Sequence, residues 1–280
     1  MLADTPFIPL TRALPDLARW TAYFLATEMP ILGETADEME LLRGNEDAAD
    51  ANMLGEMISA DPLMTLKVLA HVATNRSSRR LTDAETVTAA LVLLGITPFF
   101  TAFGPQPTVE QRLADNPQAL EGLFKVIKRA ERAANFALGF AVLRMDHDAP
   151  VIYSAALLHD FTEMLLWCHA PALALEIQRR QEADATLRSA AAQRDVLNIT
   201  LAELEHALMQ AWRLPELLVR ITDDQPSTDS QVLTVKLAMQ LARHTTHGWD
   251  NPAVPDDVRE ISHLLNMAEE PTLATLMEMD

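Results

Sequence analysis

Apolar residues recur along this chain at intervals of three and four, the spacing that lines one face of an α-helix. After Thr11, the positions Leu14, Leu17, Trp20, Tyr23 and Phe24 predict a first helix that ends near Met29-Pro30. The acidic stretch from Ile31 to Asp50 holds Gly33, Gly44 and the run Asn45-Glu46-Asp47, and predicts a short helix followed by a loop. From Ala51 the pattern sharpens, with Leu54, Met57 and Ile58 on one face and a stop at Ser59-Ala60-Asp61-Pro62. There Asp61 caps a new helix, and Pro62 fills the first turn, where its missing N–H costs nothing. Leu63, Leu66, Val68 and Leu69 supply the buried side of that helix. Thr82-Asp83-Ala84-Glu85 reads as a capping box, opening a helix that Gly95 stops.

Gly104, Pro105 and Pro107 then predict a short helix and an irregular connection between Phe99 and Asn116. Longer helices follow, opened at Asn116-Pro117, Pro150, Pro171 (with a break before Arg194), a second capping box Thr200-Leu201-Ala202-Glu203, and Leu214-Pro215. Asp229 to His247, Pro255 to Met267 and a short helix after Pro271 complete the order. The expected divisions are a lead-in helix over 1–28, a helical lobe over 29–104, a connection over 105–116 and a helical bundle over 117–280.

One predicted helix stands apart, Ala149 to His169, because His159-Asp160 in its middle breaks an apolar pattern that runs from Val151 to Leu158. The pair has two readings. In one, an imidazole and a carboxylate converge with ligands from other helices on a metal ion. In the other, a core His and Asp satisfy each other or nearby backbone.

Composition agrees with an all-α chain: Ala, Leu, Met, Glu and Arg dominate the long stretches, while Gly is only 8 of 280 residues. The formal charge of -18 argues against nucleic acid or an anionic membrane as a partner. Local basic clusters at Arg76, Arg79 and Arg80, and at Lys125, Lys128, Arg129 and Arg132, lack interleaved stacking aromatics and read as solvated helix ends or faces. A single cysteine, Cys168, excludes an internal disulfide framework and reads as a core thiol. No signal peptide layout and no apolar run near the roughly 18 residues of a membrane span is present, so a cytoplasmic location is expected. Trp20, Trp167, Trp212 and Trp249 read as core anchors. His244 and His247, with His263 or Asp250, could share a metal, but two histidines at a solvated helix end explain the spacing without one.

Four segments in order resemble the HDOD domain, a degenerate branch of the HD superfamily of metal-dependent phosphohydrolases. They are Ile58-Ser59-Ala60-Asp61-Pro62-Leu63 with Lys67-Val68-Leu69, Ala90 to Gly95, Ala155-Ala156-Leu157-Leu158-His159-Asp160, and Leu204-Glu205-His206-Ala207 through Trp212-Arg213-Leu214-Pro215. The resemblance covers about Met29 to Met267. It implies an N-terminal helical lobe packed on a degenerate HD-type bundle.

The resemblance also implies what an active HD enzyme needs: a His on the preceding helix, the His-Asp pair and a later Asp, holding one or two divalent metals. Here Arg129 falls in the first of those places and Met239 in the last. Arg has no lone pair to donate, and a thioether is a soft ligand poorly suited to Mg²⁺ or Mn²⁺. The Gly expected after the pair is Thr162, and a frequent later His-His is Asp223-Asp224. Arg129 is therefore expected to pair with Asp160 and supply the charge that a metal otherwise would, while Glu163 either orients the His159 imidazole or faces solvent. The vestigial cleft is assigned to Arg129, His159, Asp160 and Glu163, with no metal and no cofactor.

The role implied is a non-enzymatic bacterial signalling or regulatory module that binds a protein partner in trans or a small ligand, with a homodimer allowed. Two alternatives stay open. One is a residual phosphohydrolase using Mn or Mg, with His159, Asp160 and ligands such as Glu163, Glu131 or Asp223. The other is a pseudo-enzyme holding a nucleotide, with Arg129 and Lys125 or Lys128 on the phosphate.

Overall fold

A computed structural model describes residues 7–46, 49–75, 84–184, 186–222 and 227–280. Regular structure among them is helical apart from an isolated bridge between Ile31 and Thr108. Helix α1 spans Leu17–Ala26, capped by Asp16, later than the Thr11 start expected. Its buried Trp20 donates an indole N–H to Leu197 O at 2.9 Å, so the N-terminal helix packs on the C-terminal part of the chain, against the helix that follows residue 200. Helices α2 (Gly33–Arg43), α3 (Ala51–Ser59) and α4 (Pro62–Thr74) follow as the pattern predicts.

Asp61 does more than cap α4. It is fully buried; Oδ1 accepts the N–H groups of Leu63 (2.8 Å) and Met64 (3.0 Å), and Oδ2 accepts that of Leu32 at 2.8 Å. Leu32 adjoins Ile31, whose N–H and C=O bond Pro107 O and Val109 N. One carboxylate thus ties the start of α4 to the segment leading into α2 and, through it, to residues 107–109. Lys67, one turn further on, donates to Met29 O at 2.8 Å and to Gln106, and burial pushes its amine down to about 8.

Helix α5 (Val87–Leu94) is capped by Thr86; the expected box beginning at Thr82-Asp83 lies outside the described residues, as do Arg76, Arg79 and Arg80. Gly95, with φ +86, ends α5 and starts α6 (Ile96–Ala102). The connection expected over 105–116 contains a four-residue helix, α7 (Val109–Arg112), with a Thr108/Gln111 capping box.

Helix α8 (Pro117–Leu143) is the long axis of the bundle, packed by α9 (Ala149–Leu158), α10 (Phe161–His169) and α15 (Ser230–His244). Between α10 and α15 run α11 (Pro171–Ala183), α12 (Ser189–Leu197), α13 (Leu201–Ala211) and α14 (Glu216–Ile221). The expected break before Arg194 is the gap between α11 and α12. Helices α16 (Val254–Leu265) and α17 (Glu269–Met279) complete the bundle.

The single helix expected from Ala149 to His169 is a correction: it is two helices, broken at His159-Asp160. Asp160 has φ -99 and ψ 19, outside helical geometry, and its carbonyl accepts the N–H groups of Glu163 and Met164 that begin α10. Apolar periodicity runs straight through such a break because both halves bury nearly all their residues. Cys168 is a core thiol, pushed up to about 12 by burial. Trp20 and Trp167 are buried, whereas Trp212 and Trp249 are only partly covered.

Asp61→Ala is expected to lower stability by about 2–4 kcal/mol, the sum of a lost helix cap and a stranded Leu32 N–H. Urea unfolding measures it; a loss below 0.5 kcal/mol, roughly what an exposed surface change costs, counts against the joint.

Candidate functional site

The break at His159-Asp160 brings the start of α10 against the middle of α8, and there Arg129 meets two carboxylates. Its Nε and Nη2 donate to Asp160 Oδ2 at 2.9 and 2.7 Å, and Nη2 also donates to Glu163 Oε2 at 2.7 Å. Asp160 is 11% exposed and Arg129 19%, so the guanidinium and carboxylates meet largely out of water. Burial alone raises the Asp160 carboxyl, yet Arg129, with His159 and Arg243, holds it well below the usual carboxylate range. Burial likewise lowers Arg129, and Asp160 and Glu163 more than offset it, so its guanidinium is held firmly charged.

Glu163 is a second correction. Neither expectation included the partner it has: its carboxylate accepts from Arg129, while the side chain stays about a third exposed. His159 lies with Nδ1 3.5 Å from Asp160 Oδ1, the two side chains adjacent across the break. Thr162, in the place of the family's Gly, is buried and donates its hydroxyl to Leu201 O at 3.3 Å, joining α10 to the start of α13.

This cluster lies at one end of a cleft of about 640 Å³ between α8, α10, α11, α12, α13 and α15. Lys125 lines it and Lys128 does not; Lys125 Nζ is 2.7 Å from Glu121 Oε1. Glu131 points elsewhere on α8, toward Tyr153 and Asp61; burial raises its carboxyl and nearby Asp61 adds to that. Met239 is buried in the core. The side chain that α15 contributes instead is Arg243, one turn on, with Nη2 4.0 Å from Asp160 Oδ1. No reasoning from sequence singled out Arg243, although i+4 from Met239 on the same helix face was the signal available. The far wall, from Gln178, Gln181 and Gln193, gives no signal in the sequence for a different reason: half-buried glutamines on amphipathic helices carry no chemical signature. Asp223-Asp224 lies outside the described residues.

The donor set does not fit a divalent metal. Asp160 and Glu163 spend their charge on Arg129, which itself stands where the resemblance calls for a neutral His. Among the described residues no group of three or more His, Cys, Asp or Glu side chains is placed to hold an ion. That includes His244 and His247: His244 Nδ1 is 2.6 Å from Asp257 Oδ2, and the same buried carboxylate accepts Gln240 Nε2 at 2.7 Å.

The HDOD domain family matches residues 29–227. This chain belongs to the HDOD family. The MmoQ response regulator of Methylococcus capsulatus superposes with a TM-score of 0.65 at 19% identity, covering 86% of this HDOD chain and 99% of that one. A virulence factor of Campylobacter jejuni gives a TM-score of 0.65 at 14% identity, covering 94% and 96%. At such identities the likeness shows the fold alone. No curated protein matches. No helix among the described residues is long and apolar enough to cross a membrane.

Arg129→Ala leaves Asp160 buried without its cation and is expected to cost about 3 kcal/mol at neutral pH. In the native protein the depressed Asp160 adds stability above the unfolded carboxylate value of about 4, lost only as pH falls through its lower folded value. In the variant the stranded carboxylate takes up a proton instead, so the deficit should shrink as pH falls toward about 4. Thermal melts from pH 4 to 8 check this; a pH-independent deficit, or none, counts against the pairing as the source.

Proposed function

We propose that this HDOD chain acts without catalysis, as a regulatory module of bacterial signal transduction in the cytoplasm. It engages a signalling protein in trans or a small ligand, and a homodimer is compatible with that role. The observation that carries this reading is the guanidinium of Arg129 between Asp160 and Glu163. In an HD phosphohydrolase, carboxylate and imidazole groups lend their lone pairs to a metal that polarises a phosphoryl group and supplies a hydroxide. Here a permanently protonated side chain neutralises those carboxylates, and it can neither bind water as a Lewis acid nor generate hydroxide.

The response regulator named among the structural neighbours is consistent with a signalling role, although at 19% identity it shows a shared fold. The cleft beside Arg129 supports the ligand-binding arm of the proposal, being of a volume usual for small-molecule sites. His159 and Asp160 then serve as structural members of its wall.

Elemental analysis after incubation with Mn²⁺, Fe²⁺ or Mg²⁺ and desalting, paired with a phosphodiesterase assay, tests the reading. The expected result is substoichiometric metal and no turnover above buffer. One or two tightly held metals per chain, lost together with activity in His159→Ala, would restore the phosphohydrolase.

A further inference from the structure

The cleft has two chemically different ends. Gly122, Val126 and Arg129 recur along α8 at helical spacing, as do Glu163 and Trp167 along α10 with Asp160 just ahead of it, so the Arg129 cluster and the indole beside Gly122 line different parts of the cleft. Seven residues of helical rise from Gly122, under the indole, to Arg129 set these two backbone positions on α8 about 10 Å apart. At the indole end, a Cβ on Gly122 would come within 2.5 Å of the Trp167 ring, so the missing side chain lets the indole lie against α8. Trp167 is 5% exposed, and its Nε1 has no hydrogen-bond partner among the described residues. Val126, Leu166, Ala174 and Ile177 make the surroundings apolar.

The ionic end has donors to spare. Arg129 commits Nε and Nη2, while its Nη1 makes no hydrogen bond among the described residues. Arg243 approaches Asp160 only to 4.0 Å, beyond hydrogen bonding, and its side chain is 58% exposed. We propose that the cleft takes a small organic monocarboxylate with an apolar body, its carboxylate between Arg129 and Arg243 and its body against Trp167. This rests on the reading of the cleft as a ligand site rather than a catalytic one.

Charge selects the head group. Asp160 and Glu163 are bonded by Arg129, which leaves its Nη1 and the exposed guanidinium of Arg243 as the donors a ligand meets; Lys125 is engaged by Glu121, and Glu182 and Glu205 line other walls. One negative charge satisfies two planar donor groups in the geometry that guanidinium and carboxylate share. The second charge of a phosphate monoester meets the surrounding carboxylates at close range with no further cation committed to it. An ammonium head offers these guanidinium groups no acceptor.

A head-group series on similar bodies tests the assignment by calorimetry on the full chain: 3-phenylpropionate, 3-phenylpropanamide, 2-phenylethylamine and phenyl phosphate, with inorganic phosphate alone. The carboxylate is expected to bind about tenfold or more tighter than each of the others. Arg243→Ala, at an exposed position, should keep the native melting temperature and lose about tenfold in affinity for 3-phenylpropionate, with Arg243→Lys recovering part of it. Preference for phenyl phosphate or the amine, unchanged affinity in Arg243→Ala, or no binding across the series overturns the ligand class. Hydrolysis of phenyl phosphate with added Mn²⁺ would instead overturn the non-catalytic reading, so the two failures are distinct.

Discussion

A carboxylate held almost wholly out of water must be neutralised or supplied with donors, and Asp160 sets that demand at the centre of the bundle. Arg129 meets it, and in doing so fixes how α8 and α10 lie against each other, because a guanidinium that donates to both Asp160 and Glu163 tolerates little sliding between the helices. The same contact is what the proposed non-catalytic reading rests on, because carboxylates engaged by a permanent cation are poor ligands for a hard metal.

Buried carboxylates serve as joints at two other places, and the comparison shows what is special about Asp160. Asp61 is satisfied by three backbone N–H groups. Burial nonetheless raises its carboxyl, since neutral dipoles compensate desolvation less fully than a full charge does. Asp257 joins α15 to α16 through His244 and Gln240. Only Asp160 among these three bonds to an arginine, and its carboxyl is pushed down rather than up. Position explains the difference. Asp61 sits at a helix N-terminus with its N–H groups in reach, whereas the Asp160 side chain makes no cap bond to α10 and is turned toward α8.

Local signals in the sequence located most helices, because capping chemistry and proline act over three or four residues: Asp61-Pro62, Asn116-Pro117 and the Thr200/Glu203 box all open helices where expected. The break between α9 and α10 was not legible. The Asp160 side chain there is committed to a helix distant in sequence, and apolar residues dominate on both sides. Likewise the docking of α1 beside α13 depends on Trp20 reaching a carbonyl 177 residues away, whereas its start is set locally by the Asp16 cap. In the cleft, the pairing of Arg129 with Asp160 followed from the cost of a buried charge, but the partner of Glu163 did not. A residue one turn from His159 has several neighbours to choose from, and the contact is made by a helix distant in sequence. Arg243 and the glutamine wall of α11 and α12 needed three-dimensional placement.

The pairing of Arg129 with Asp160 does not by itself explain why a cleft persists beside it. If the junction served packing alone, the inexpensive solution would be an apolar side chain in the space, since a well-packed hydrophobic replacement for a buried ion pair is often neutral or stabilising. Instead the space stays open at about 640 Å³, with Gly122 leaving room for an indole on one side and an exposed arginine overhanging the other. An ionic cluster and an apolar wall in one cleft are of no use to packing alone, and are what the proposed ligand of mixed polarity would use.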